Sequence, residues 1–134
     1  MITDQYIYNT VVERISKQDN YRLIQEAGWD PTGVFRYGNN VTPIGCFIPE
    51  EYYRPPYPNF GELQCRYLSR EYQHIFKTAA FANMNCKFIS EMNTEFAYIS
   101  LPNEHNQILK FLHRIGIKNN LVVSEYIQNL MILI

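Results

Sequence analysis

The sequence predicts a single, mainly α domain of four to five helices with a small β-hairpin, spanning residues 1–134. Three observations predict it. A chain of 134 residues is the size of one domain, in which a single core buries roughly two-thirds of the unfolded surface without help from metals or disulfides. Hydrophobic residues at 46% against charged residues at 19% describe an ordinary folded chain and exclude intrinsic disorder. Apolar side chains recur at spacings of three and four over several windows, each opened by a residue able to cap a helix.

Taken in order, Thr3 caps a first helix whose stripe is Ile7, Val11 and Ile15. Asp4 lies in its first turn, Glu13 and Lys17 stand at i,i+4, and a break falls at 18–20. Asn20 opens a short second helix carrying Tyr21 and Ile24, which stops at Gly28, and Trp29-Asp30-Pro31-Thr32-Gly33 is turn chemistry. Val34-Phe35-Arg36-Tyr37 is β-prone, and Gly38-Asn39-Asn40 turns the chain. Over 41–48 two readings stand: Thr42-Pro43 as a cap with proline at the first helical position, or a strand favoured by Val, Thr, Phe and Ile. Pro49-Glu50-Glu51-Tyr52-Tyr53 fits one further turn. Three prolines among Pro55-Pro56-Tyr57-Pro58 impose an extended, polyproline-like course on 54–60.

The longest helix is expected over about 60–82, with Cys65, Leu68, Tyr72, Ile75 and Ala79 inward and Ser69, Gln73 and Lys77 outward. Residues 86–101 read as a hairpin, Lys87-Phe88-Ile89 and Phe96-Ala97-Tyr98-Ile99 around Asn93-Thr94. Asn103 caps a helix bearing Ile108, Leu112 and Ile115, with Gly116 as its stop. The last helix, about 121–133, presents Val123, Ile127, Leu130 and Ile134. It closes on five consecutive apolar residues, which either tuck into the core or pair with another copy.

Composition narrows the function classes. Twelve basic and thirteen acidic side chains leave none of the positive excess of a general nucleic-acid binder, so no nucleic acid is expected as a partner. No stretch approaches the roughly 20 apolar residues of a membrane span, and Met1-Ile2-Thr3-Asp4-Gln5 lacks the basic and apolar regions of a signal peptide. Cys46, Cys65 and Cys86 form no C-x-x-C and suggest neither a disulfide framework nor a zinc knuckle. A soluble, cytoplasmic protein without metal or cofactor is the expectation. Eleven tyrosines and eight phenylalanines beside one tryptophan, with Ile and Asn abundant, fit an AT-rich coding sequence first and a Tyr-rich contact surface second.

Chemistry-bearing residues are few. Cys46, set among Ile44, Phe47 and Ile48, reads as an inert buried thiol, since nucleophilicity needs a lowered pKa. His74, His105 and His113 form no metal-binding spacing, and His105 falls on an apolar stripe. Glu50 and Glu51 are adjacent, hence divergent on a helix, and no glycine-rich phosphate loop occurs. Arg66 and Arg70, one turn apart, could meet an anion, though Glu62 and Glu71 offer them ordinary pairing. The most contact-prone piece is Tyr52-Tyr53-Arg54-Pro55-Pro56-Tyr57-Pro58, where hot-spot residue types ride on a pre-stiffened backbone.

Two segments carry a family resemblance. Val34-Phe35-Arg36-Tyr37, followed by Pro43-Ile44-Gly45-Cys46-Phe47-Ile48-Pro49-Glu50-Glu51-Tyr52, resembles a motif in a group of small uncharacterised proteins of bacteriophage and prophage genomes. That motif runs Cys-x-Tyr-Arg, then Cys-Ala-Ile-Gly-x-Leu-Ile-Pro-Asp-Glu-x-Tyr. Ile108-Leu109-Lys110-Phe111-Leu112-His113-Arg114 stands where the group carries a Leu-Gln-x-x-His-Asp helix. The group's cysteines are replaced here, its Tyr-Arg appears as Arg36-Tyr37, and its His-Asp as His113-Arg114. The resemblance implies a phage-like origin and a mostly helical fold, and no mechanism.

The expected function is therefore a non-enzymatic accessory protein that binds a host protein, with Tyr52, Tyr53, Arg54 and Tyr57 as its contact surface. A second expectation is a small-molecule or nucleotide-handling protein, binding or hydrolysing, with Arg36, Tyr37, Tyr52 and Arg54 around an anionic ligand and Arg66 and Arg70 as further candidates. A third is a homo-oligomeric assembly subunit joined through the apolar C-terminal residues.

Overall fold

The computed structural model describes residues 2–18, 36–37, 40–49, 76–77, 79–97, 99 and 105–133. The fold is mainly helical. Helix α1 (Asp4–Ile15) leads to a two-stranded antiparallel pairing of β1 (Arg36–Tyr37) with β2 (Asn40–Val41), in register Arg36 with Val41 and Tyr37 with Asn40. A 3₁₀ turn at Gly45–Phe47 and another at Ala79–Phe81 precede α2 (Cys86–Ala97), α3 (His105–Lys118) and α4 (Glu125–Leu133).

α1 forms where its caps and stripe require. Thr3 Oγ1 accepts from the Tyr6 N–H at 3.1 Å, satisfying a donor the first turn would otherwise leave open. Ile7, Tyr8, Val11 and Ile15 are fully buried, each aliphatic contributing roughly 1.5–3 kcal/mol of burial. Glu13 and Lys17 pair across one exposed turn. α1 packs against α3, β2 and the first 3₁₀ turn, and α3 packs against α4.

Both readings of 41–48 hold in part. Asn40–Val41 is strand, and the chain then tightens into the 3₁₀ turn, with Thr42 Oγ1 accepting from Gly45 N at 3.3 Å and Thr42 O from Cys46 N at 3.0 Å. The expected short helix at 20–28, the turn at 29–33, the turn at 50–53 and most of the helix at 60–82 lie outside the described residues. The described end of that last stretch includes a 3₁₀ turn in which Phe81 is buried and Ala79, expected inward, is exposed, while Lys77 is exposed as expected.

The hairpin expected at 86–101 is instead α2. Asn85 caps it, its Oδ1 accepting from Phe88 N at 3.2 Å. Its buried face, Phe88, Ile89, Met92, Asn93 and Phe96, follows helical spacing. Asn93, which resembled a turn residue, lies inside the helix because its Oδ1 accepts from the buried Ile44 N–H at 3.0 Å. That tertiary bond outweighs a weak local preference.

α3 also departs from expectation, passing through Gly116 to Lys118. Its stop is Asn120, in the left-handed region at φ 57°. Leu121 N donates to Gly116 O at 2.9 Å and Asn120 N to Ile117 O at 3.2 Å, the paired bonds of a Schellman ending. Gly116 is glycine for closeness: a Cβ there would lie 2.5 Å from Val123 Cγ2 and 2.7 Å from Tyr8 Oη. α4 starts at Glu125, where Ser124 Oγ accepts from Ile127 N at 3.3 Å. Leu130 and Met131 pack partly against the core, while Ile132 is 81% exposed.

Phe96 and Phe111 meet edge to face at 5.7 Å between α2 and α3, and Phe81 takes Phe76 at 5.3 Å and Phe47 at 6.4 Å in the same manner. None of the helices among the described residues is long and apolar enough to cross a membrane.

Candidate functional site

Of the residues expected to bind, Tyr52, Tyr53, Arg54, Tyr57, Arg66 and Arg70 lie outside the described residues. Arg36 and Tyr37 form β1, so both sit on the strand pair. What holds that pair can be built up residue by residue. Gln18, just past α1 and 6% exposed, takes both backbone groups of Val41: its Nε2 donates to Val41 O at 3.1 Å, and Val41 N donates to its Oε1 at 2.6 Å. A carboxamide has a donor and an acceptor side by side, so it can stand in for a neighbouring strand. The next anchor is Ile44, fully buried and bonded to Asn93, and Ile48 is buried a turn later. The chain from Asn40 to Ile48 is thereby fixed to both α1 and α2.

Cys46 lies within this anchored stretch. It keeps part of its surface open, yet burial pushes its thiol up to about 12, against the lowering influence of Arg14 and a backbone N–H. A thiol so raised stays protonated at neutral pH and is a poor nucleophile, in line with the inert reading. Burial also raises Cys86, whose Sγ lies 3.9 Å from Phe81 O.

The device seen at Gln18 recurs at the other end of α1. Gln5 Nε2 donates to Val122 O at 2.9 Å, and Val122 N donates to Gln5 Oε1 at 2.8 Å. Between the two glutamines, Tyr8 is fully buried and its hydroxyl donates to Leu112 O at 2.6 Å, with burial pushing it up to about 12. Beside the start of α1, Ile2, Thr3, Asp4, Met84 and Asn85 line an open cleft of about 430 Å³. Its carboxylate is already engaged, since Asn85 Nδ2 donates to Asp4 Oδ1 and Oδ2 at 3.1 and 3.3 Å.

Gln5, Gln18 and Asn85 were not singled out as anchors by sequence reasoning, and Asn93 reads there as a turn residue. Asn85 carried a usable signal, lying three residues before Phe88 and just ahead of the 88-89-92-96 spacing. The glutamines carried none, because their partners are backbone groups 23 and 117 residues away. Among the described residues, no group of three or more His, Cys, Asp or Glu could hold a metal ion. Compared with known proteins, the chain matches no protein-family model, no curated protein and no solved structure.

Proposed function

We propose that the chain is a non-enzymatic accessory protein of the phage-borne type its sequence resembles, which binds a host protein in the host cytoplasm through segment 52–58. The observation that carries this reading is the segment itself. Tyr52, Tyr53, Arg54 and Tyr57 supply large contact area and a planar cation, and Pro55, Pro56 and Pro58 reduce the entropy lost on docking. Supporting it is the anchorage of the chain leading in, since Val41, Ile44 and Ile48 are buried immediately upstream. Further support comes from the use made of the interior polar groups: Gln18, Asn93 and Tyr8 are all bonded to backbone and serve the fold.

The test is a quantitative pull-down from host lysate with wild type and a Tyr53→Ala/Arg54→Ala/Tyr57→Ala variant, followed by titration of the purified partner. One protein enriched by wild type and bound at least about tenfold more weakly by the variant, a loss of about 1.4 kcal/mol, is the expected result. Equal affinity of the two forms would sink the assignment. The competing reading places an anionic small molecule at Arg36, Tyr37, Tyr52 and Arg54, with Arg66 and Arg70 as further ligands; it rests on residue type alone. A nucleotide raising the melting temperature of wild type and not of an Arg36→Ala/Arg54→Ala variant would favour it.

A further inference from the structure

We draw no further inference here: the strongest candidate, the open cleft beside the starts of α1 and α2 lined by Ile2, Thr3, Asp4, Met84 and Asn85, carries nothing, because its carboxylate is already bonded to Asn85 and nothing in the structure shows what would occupy it.

Discussion

At Gly116 an added methyl would sit 2.5 Å from Val123 Cγ2 and 2.7 Å from Tyr8 Oη. A glycine inside a helix costs about 1 kcal/mol relative to alanine, so Gly116→Ala ordinarily stabilises. Here overpacking of about 1–3 kcal/mol opposes that gain, and Tyr8 cannot yield freely because its hydroxyl is tied to Leu112 O. A net loss of up to about 2 kcal/mol is expected in urea unfolding, partly recovered by adding Val123→Ala. The two glutamine clamps give a second comparison at this scale. Gln18→Ala strands the N–H and C=O of Val41, itself 1% exposed, and should cost about 2–4 kcal/mol. Gln5→Ala frees the same groups of Val122, 75% exposed, where water replaces the amide, and should cost under about 1 kcal/mol. Equal losses in urea titrations would show that burial is not what separates the two. Neither clamp was legible in the sequence, since a side chain bonding to distant backbone leaves no local pattern.

α1 was legible because every signal for it is local: the Thr3 cap, Asp4 in the first turn and the Ile7, Val11, Ile15 stripe. Of the 36–41 strand pair, β1 was legible from the β-prone Val34-Phe35-Arg36-Tyr37, whereas Asn40 read as part of the turn and Val41 stood open between helix and strand. α2 was not legible, because Asn93-Thr94 carries turn chemistry and Phe96 to Ile99 carries β preference, while Asn93 is held in the helix by Ile44, 49 residues away. Gly116 misled in the opposite direction, a common stop residue retained for a contact across the fold. The cap of α2 provides a prediction for an element. Asn85→Ala should cost about 1 kcal/mol in thermal unfolding. Asn85→Asp keeps a good cap but sets a carboxylate against Asp4, so its smaller loss should shrink further as salt is raised. A loss for Asn85→Asp that is insensitive to salt would remove the Asp4 contact from the account. Of the candidate site, only the backbone placement of Arg36 and Tyr37 falls within the described residues, and its strand character is what the sequence predicts.

At the scale of the molecule, and among the described residues, burial raises the three acids Tyr8, Cys46 and Cys86 in the folded chain. Each is neutral when folded, and each gives up its proton at lower pH when unfolded. The unfolded chain therefore binds fewer protons in alkali, and stability falls as pH rises. Their contribution is fully present below the unfolded value of a thiol, about 9, and is lost as pH climbs toward the folded values of about 12 for Cys46 and Tyr8. Urea midpoints measured from pH 8 upward should thus decline above about pH 9. Cys46→Ala should flatten the earlier part of that decline and Tyr8→Phe the later part, each at some cost at neutral pH. A slope unchanged in both variants would place the alkaline sensitivity elsewhere.

The bonds of α1 also bear on the order of events during synthesis. Tyr8 waits for Leu112 and Gln5 for Val122, partners 104 and 117 residues downstream. α1 is therefore made before the partners that complete it. Until α3 and the start of α4 emerge, Ile7, Val11 and Ile15 have no permanent cover from that side, and the nascent chain carries a sticky amphipathic helix while the intervening residues are made. Closing such long loops makes folding slow relative to a bundle of sequential hairpins. It also gives the cell an interval in which a chaperone can hold α1, one that ends only when the last residues of the core arrive.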